Sequence, residues 1–156
     1  MVDVHCQQGQ EARAKKYMNN LQLNEKAFEM LKEVFGFSNY RYGQQEIVEN
    51  IISGKKSLAI MPTDSGKSLC YQLPSIILQK KTIIISPLIA LIDDQVASLR
   101  ECGVNVEKLH SNQSTDEQSK SWYNFKIGKA KLLYVSPERL MTDEMINNLK
   151  SSFPFN

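Results

Sequence analysis

The sequence predicts an α/β fold, and two observations support that prediction. Beyond Gly54, short runs of β-branched and other apolar residues recur along the chain, and a segment of helix length follows each run. Strands separated by helices of this length are joined by right-handed crossovers, which give a parallel sheet covered by helices on both faces. Sheets of this kind bind ligands at the carboxyl ends of their strands. The predicted strands are residues 57–61, 82–86, 104–110 and 131–136.

Two amphipathic helices are predicted before the first strand. The first begins at Asn24, a residue type that favours helix N-caps, and ends before Gly36, a residue type that favours helix C-termini. The second covers residues 42–53 and ends before Gly54. Their apolar faces are formed by Ala27, Phe28, Leu31 and Phe35 in the first helix and by Ile47, Val48, Ile51 and Ile52 in the second.

The chain has the length of one domain. Residues 1–20 are polar and lack periodic apolar positions, so we expect a disordered or frayed N-terminal arm there. Residues 21–156 are expected to form the folded domain. A chain of 156 residues is long enough to bury a core but too short for two complete nucleotide-binding lobes.

Composition excludes several classes of protein. The chain has 19 Lys and Arg residues against 17 Asp and Glu residues, so any contact with nucleic acid depends on a local site rather than on overall charge. Its three cysteines form no C-x-x-C pair, which argues against a zinc site or a disulfide framework and favours a reducing compartment. The most apolar stretch, residues 82–92, is too short to span a bilayer. We therefore expect an intracellular protein, cytoplasmic or nuclear, without a membrane partner.

The stretch SLAIMPTDSGKSLCYQLP, residues 57–74, has the order of a phosphate-binding loop: a predicted strand, a turn and a helix. In such loops, backbone N–H groups and the positive end of the helix face phosphate oxygens. Gly66 allows the backbone to approach closely, Lys67 reaches the terminal phosphates, and the Ser68 hydroxyl ligates Mg²⁺. A Gly-Lys-Ser tripeptide also arises by chance, but its place between a strand and a helix favours a nucleotide site.

Two positions depart from the usual loop pattern. Met61 replaces the first glycine of G-x-x-x-x-G-K-S, and Asp64 replaces a glycine of the looser pattern T-G-x-G-K-S/T. If position 64 requires a positive φ, Asp is strained there by about 1 kcal/mol. Its carboxylate also repels a triphosphate by about one to a few kcal/mol, or roughly one to two orders of magnitude in affinity. The residues alone leave open a working loop, a weak loop or a relic.

Four blocks, in order, resemble motifs of the RecQ family of superfamily-two DNA helicases. FGFSNYRYGQ (35–44) resembles the adenine-recognition motif of the family and MPTDSGKSLCYQLP (61–74) its phosphate loop, while SPLIALIDDQV (86–96) and YVSPERL (134–140) resemble the two motifs that follow. The likeness extends over about residues 23–140. It implies a P-loop NTPase (RecA-like) lobe that uses ATP and Mg²⁺, contacts single-stranded or forked DNA, and belongs to an ATP-driven 3′ to 5′ unwinding enzyme.

The resemblance also implies site residues. Phe37 and Arg41 would stack on the two faces of adenine, and the Gln44 amide would bind its edge. Lys67 is the candidate catalytic residue, and Ser68 is the candidate Mg²⁺ ligand. Without the resemblance, Phe37 would be assigned to the core and Arg41 to the solvated surface. The candidate nucleotide-binding residues are Phe37, Arg41, Gln44, Thr63, Asp64, Ser65, Gly66, Lys67, Ser68 and Leu69.

The two later motifs would line a track for single-stranded DNA. The candidate nucleic-acid-binding residues are Ser86, Pro87, Leu88, Gln95, Ser136 and Arg139. Without the resemblance, Arg139 would be assigned to a surface ion pair, and Leu88, Leu91 and Ile92 are predicted to form the buried face of a helix. The aromatic residues Tyr71, Trp122 and Tyr123 are typical of base-stacking platforms, but their helical positions favour packing.

The acidic D-E-x-H box of the family occurs nowhere in the sequence, and neither does the second lobe. The box carboxylates bind Mg²⁺ and orient the attacking water. The first hypothesis is therefore an incomplete single lobe, the N-terminal fragment of a RecQ-like helicase that is inactive in isolation. The alternative is a noncatalytic module that keeps weak nucleotide or DNA binding, or acts through a partner. A small P-loop kinase requires an acceptor site and lid that the sequence does not offer. Whether the chain is an enzyme stays open.

Overall fold

The computed structural model describes the backbone of residues 4–152 and the side chains of Lys15 and of residues 17–152. The chain divides into two compact units, Met1–Leu78 and Gln79–Asn156. None of the helices over the described residues is long and apolar enough to cross a membrane.

The unit Met1–Leu78 contains three helices, α1 (Val4–Glu33), α2 (Gln44–Ile52) and α3 (Lys67–Leu78). Each helix contributes buried apolar residues spaced four apart, which lie on one helical face. These side chains form one core, and it fixes the N-terminal ends of α2 and α3. The core consists of Ala27, Leu31, Val48, Ile52, Leu69, Leu73 and Ile77.

Helix α1 begins at Val4, so the predicted helix start at Asn24 is wrong. The backbone of residues 4–20, which we expected to be a disordered or frayed arm, is helical, and residues 1–3 lie outside the described residues. The segment is rich in Gln, Glu, Ala, Arg and Lys, which favour helices without needing an apolar face. Missing apolar periodicity therefore does not exclude a helix. The domain boundary at residue 21 stays a prediction.

The first predicted strand, residues 57–61, is not a strand in the structure. Its apolar side chains are open to solvent: Leu58 is 90% exposed and Ile60 is 91% exposed. A strand requires a neighbour that satisfies its backbone N–H and C=O groups. This segment is not part of the described sheet, so its apolar sequence does not produce a ladder.

The unit Gln79–Asn156 contains a parallel sheet of three strands, β1 (Thr82–Ile85), β2 (Val106–Leu109) and β3 (Leu132–Val135), in the order β1-β3-β2. All four residues of the central strand β3 are buried. Burial on both faces explains why β3 reads as a continuous apolar run without alternation. In the register of the sheet, Leu133 lies between Ile83 and Glu107. Three of the four predicted strands are confirmed.

Four helices accompany this sheet: α4 (Ile89–Glu101), α5 (Thr115–Lys126), α6 (Pro137–Leu140) and α7 (Asp143–Ser152). A parallel sheet with helices confirms the predicted α/β class. The prediction for the start of α4 is partly wrong, because Ile92 is buried but Leu88 and Leu91 are exposed. The buried face of α4 is formed instead by Ile92, Val96 and Leu99.

Asp93 connects α4 to the end of β2. Its carboxylate accepts a hydrogen bond from the Lys108 ammonium, and Oδ1 lies 3.1 Å from Nε2 of the buried His110. The hydrogen bond from Lys108 is the main cause that holds the pKa of Asp93 below its ordinary value of 3.8; burial opposes this effect and His110 reinforces it. A lowered folded pKa means that the unfolded chain binds this proton more readily.

We therefore predict that Asp93 stabilises this unit above about pH 4 and that its contribution is lost as the pH falls through the unfolded and then the folded pKa. Asp93→Asn should reduce the acid-induced loss of stability. Urea unfolding at pH 7, 5 and 3.5, followed by the fluorescence of Trp122, measures this effect. Asp94→Asn is the matched control, because this exposed neighbour forms no ion pair with the described residues. Identical pH profiles for the two variants would contradict the prediction.

Candidate nucleotide-binding site

The loop before α3 has the backbone of a tight turn. Asp64 has φ 62° and Gly66 has φ 78°, so both residues lie in the left-handed region. The sequence predicts strain at Asp64 if this position has a positive φ, and the structure shows a positive φ there. Asp64 carries backbone strain that a glycine in this position would not have.

Lys67, the first residue of α3, lies across this loop. Its ammonium donates hydrogen bonds to the carbonyl oxygens of Met61 at 3.1 Å and Pro62 at 2.7 Å. The Ser65 hydroxyl also donates to Pro62 O, at 2.7 Å. The lysine charge is thus held by two neutral carbonyl groups, and no described carboxylate forms an ion pair with it.

Gln44, the first residue of α2, is buried and supports the loop from behind. Its Nε2 donates to Ser65 O at 3.1 Å and to Gly66 O at 3.0 Å, while its Oε1 accepts from Arg41 N at 2.8 Å. A Cβ atom added at Gly66 would lie 2.6 Å from Nε2 of Gln44. Position 66 therefore favours glycine for its φ, and a side chain there would have to displace the Gln44 amide.

Arg41 also binds the loop, because its Nη1 donates to Asp64 O at 2.8 Å. The structure thus brings Arg41 and Gln44 to the loop backbone, a role that their assignment to adenine did not include. The sequence signal for this role of Gln44 was a glutamine in a predicted amphipathic helix. The structure shows that its amide is buried, and a buried amide requires hydrogen-bond partners. Phe37 is 46% exposed, and no hydrogen bond or ring contact among the described residues joins it to the loop.

A cleft of about 810 Å³ lies between α2 and the loop, within the size range of small-molecule sites. Arg41, Tyr42 and Glu46 line it from the side of α2, and Asp64 and Ser65 line it from the loop. Tyr42 is fully exposed and was not among the predicted site residues. The sequence signal that could have identified Tyr42 was its aromatic ring next to Arg41.

The other candidates in the loop differ in what they offer a ligand. Thr63 is exposed and Ser68 is partly buried at the start of α3. Leu69 belongs to the core of the unit, so only its backbone faces the loop, where Leu69 N donates to Gly66 O at 3.2 Å. No cluster of three or more His, Cys, Asp or Glu side chains suited to a metal ion occurs among the described residues.

The nucleic-acid candidates lie in the other unit, at the carboxyl edge of the sheet. Ser86 follows β1, Ser136 follows β3, and Ser86 N donates to Val135 O at 3.2 Å, so the two segments are neighbours. Pro87 and Leu88 are exposed, and Gln95 is partly buried in α4.

The two candidates of the second segment differ in accessibility. Ser136 is completely buried, and its hydroxyl accepts from Arg139 N at 3.4 Å as the cap of α6. Arg139 Nη2 donates to Glu144 at 2.9 Å. Arg139 therefore forms the ion pair expected without the resemblance, and its assignment to DNA stays a prediction.

Comparison with known proteins identifies the family. The profile of the family described as "DEAD/DEAH box helicase" matches residues 41–153. The chain is 41% identical over 138 residues to the ATP-dependent DNA helicase RecQ of Pasteurella multocida (strain Pm70), a match that covers 86% of this chain and 22% of that protein. It is 42% identical over 123 residues to the probable ATP-dependent DNA helicase RecS of Bacillus subtilis (strain 168), covering 78% of this chain and 24% of that protein.

A eukaryotic relative also matches most of the chain. The RecQ-like DNA helicase blm-1 of Caenorhabditis elegans is 36% identical over 129 residues, which is 81% of this chain and 13% of that protein. The chain spans about a fifth of the length of the bacterial RecQ proteins that it matches. Because the family profile covers most of its residues, including the loop and both segments at the sheet edge, this chain belongs to the DEAD/DEAH box helicase family and resembles the RecQ helicases within it.

Proposed function

We propose that this chain is the N-terminal part of the ATP-binding lobe of a RecQ-like DNA helicase. In this proposal, residues 63–69 bind the phosphates of ATP, and the segments at the carboxyl edge of the sheet bind single-stranded or forked DNA. The activity of the complete protein would be ATP-driven 3′ to 5′ unwinding. The observation that carries the proposal is the position of Lys67, at the start of α3 and across a loop with two left-handed residues.

The loop fits an anionic ligand in three respects. The Lys67 ammonium is neutralised by no described carboxylate, so a phosphate oxygen is a better partner for it than the carbonyls of Met61 and Pro62. The first N–H groups of α3 have no carbonyl partner within the helix, and the helix dipole favours negative charge there. Gly66 presents backbone without a side chain.

Magnesium would be held beside the phosphates by the Ser68 hydroxyl, and Mg²⁺ supplies charge neutralisation for the phosphates when it is bound. The sequence contains no D-E-x-H box. This 156-residue chain therefore offers neither the box carboxylate that would bind Mg²⁺ in addition to Ser68 nor the box carboxylate that would orient the attacking water. The chain's own residues therefore support nucleotide binding without turnover. Lys67 would act as the catalytic lysine only in a protein that supplies those carboxylates.

Adenine selection is proposed for Phe37, Arg41 and Gln44. In the structure, Arg41 and Gln44 donate to the loop backbone, which supports a second role for them as residues that shape the loop. Tyr42 joins Arg41 in the lining of the cleft and supplies an exposed ring on which a base can stack.

The alternative function is a noncatalytic module that acts through a partner or through weak nucleotide binding. The observation that favours it is Asp64, which combines a strained backbone with a carboxylate beside the phosphate site. The two functions differ in the strength of ATP binding and in its dependence on Lys67.

We predict that Asp64→Gly tightens Mg-ATP binding by roughly one order of magnitude, because it removes the strain at φ 62° and the repulsion by the carboxylate. Asp64→Asn should recover part of this gain, since it removes only the charge. Titration calorimetry on the three proteins measures the order, with Lys67→Ala as the reference for a lost site. Equal affinities would mean that the carboxylate does not face the phosphates, and absence of binding at millimolar ATP would favour the noncatalytic module.

The 156-residue chain should show no ATPase activity and no unwinding above background, because it lacks the box carboxylates. A phosphate-release assay with and without single-stranded DNA tests the first part, and strand displacement on a forked substrate tests the second. Turnover that disappears in Lys67→Ala would overturn this prediction.

Replacing Gln44 distinguishes its two proposed roles. Gln44→Ala removes two hydrogen bonds to the loop, each worth about 1 kcal/mol, and should weaken ATP and GTP binding alike by up to about 30-fold. Gln45→Ala is the matched control, because Gln45 is exposed and, within the described residues, its side chain donates to Glu49 and not to the loop. Loss of ATP binding with GTP binding unchanged would assign Gln44 to the adenine edge instead. Equal binding of ATP and GTP by the unsubstituted chain would argue against adenine selection as a whole.

A further inference from the structure

A second cleft, of about 550 Å³, lies in the unit Gln79–Asn156. It is bordered by α5, by Arg139 of α6 and by α7. The proposed function leaves this cleft without a role. Its size is that of a ligand site, and its lining combines aromatic rings, amide groups and cations.

One face of α5 forms a wall of the cleft. Thr115, Ser119, Trp122, Tyr123 and Lys126 follow one another at intervals of one to four residues and line the same side of the helix. The face changes from polar at the N-terminus of α5 to aromatic and cationic at its C-terminus. A ligand along this wall meets the rings and the ammonium together.

The two aromatic residues of this wall have different environments. Trp122 packs against the core, with its ring centroid 5.9 Å from that of Phe125. Tyr123 is 60% exposed and has no ring partner among the described residues. The prediction that both are packing residues is confirmed for Trp122 and wrong for Tyr123. An exposed ring beside a cleft is a surface on which an unpaired base can stack.

The cations of the cleft have unused capacity. Lys126 forms no ion pair with any described acidic residue. Arg139 donates through Nη2 to Glu144, but its buried Nε has no hydrogen-bond partner within the described part of the chain. Glu144 is the acidic residue of the lining, and it is already paired with Arg139. The lining therefore favours an anionic ligand.

We propose that this cleft binds single-stranded DNA and continues the path proposed for the segment 136–139. A base stacks on the Tyr123 ring, and the Lys126 ammonium contacts the neighbouring phosphate. The inference rests on the proposed function, because Arg139 belongs both to that segment and to the lining of the cleft. A single strand suits the site better than a duplex, since the bases of a duplex are already stacked on each other.

Trp122 is the only tryptophan of the chain and lines this cleft, so its fluorescence carries no contribution from an indole elsewhere. Oligothymidylate should quench Trp122 emission with the same midpoint that fluorescence anisotropy gives for binding of the labelled oligonucleotide. Tyr123→Ala should weaken binding about tenfold. Lys126→Ala should weaken it less and reduce the slope of log K against log salt by about 0.7.

Two variants serve as matched controls: Tyr17→Ala, which removes another exposed tyrosine, and Lys120→Ala, which removes an exposed lysine of α5 outside the cleft. Both should bind the oligonucleotide like the unsubstituted chain, and circular dichroism should confirm that all four variants are folded. Weaker binding by both cleft variants, together with unchanged binding by both controls, would support binding of single-stranded DNA in the cleft.

Three results would overturn the inference. If anisotropy detects binding but Trp122 emission and both cleft variants match the controls, DNA binds elsewhere, and the proposed function stands without this cleft. If thymidine monophosphate binds as tightly as the oligonucleotide, the cleft is a nucleotide pocket rather than part of a strand path. If no single-stranded DNA binds at all, both the cleft and the DNA-binding part of the proposed function fail.

Discussion

The carboxamide of Gln44 is the contact on which the shape of the phosphate loop depends. A buried amide is stable only when its donors and acceptor are satisfied, and here Nε2 binds two successive carbonyls of the loop while Oε1 binds the backbone of Arg41. The amide is held in place because Gln44 begins α2, whose Val48 and Ile52 belong to the same core as Leu69 and Leu73 of α3. Packing of two helices thus fixes the distance between the amide and the loop, and the loop in turn sets where Lys67 begins α3. Glycine at position 66 avoids strain at its positive φ and leaves room for this amide.

Asp64 works against this arrangement without disrupting it. Its left-handed backbone costs about 1 kcal/mol relative to glycine, but its carbonyl is one of the atoms that Arg41 holds. This hydrogen bond is exposed to solvent and is worth about 1 kcal/mol or less, which is comparable to the strain in the folded chain. The offset is structural only, since the side-chain charge of Asp64 stays beside the proposed phosphate site. A loop can therefore keep its form while its affinity for phosphate falls, which is why the geometry of the loop alone does not distinguish a working site from a weak one.

Sequence patterns predicted the helices and strands whose formation depends on their own residues or on a neighbouring strand of the sheet. Burial on both faces made β3 readable, whereas β1 was recognised from its β-branched run although it is only partly buried, and β2 carries Glu107 and Lys108 between two buried residues. Residues 57–61 carry an equally clear strand pattern, yet a strand is a property of two segments, and no pattern within one of them reveals whether the second is present. Lys67 at the start of α3 was predictable from order alone. The contacts of Gln44 with the loop were not, because a motif identifies a residue type but not the carbonyl groups it will meet after folding.

The segments at the carboxyl edge of the sheet show how burial limits what a motif residue can do. Ser136 is completely buried and caps α6, so its contribution to a ligand passes through the backbone it positions. Arg139 is different, because its partner Glu144 is 67% exposed and an ion pair at the surface is worth at most about 1 kcal/mol. Exchanging that carboxylate for a phosphate oxygen, as the proposed DNA site requires, would therefore cost little. In a chain with a net charge of only +2, affinity for a polyanion has to come from exchanges of this local kind.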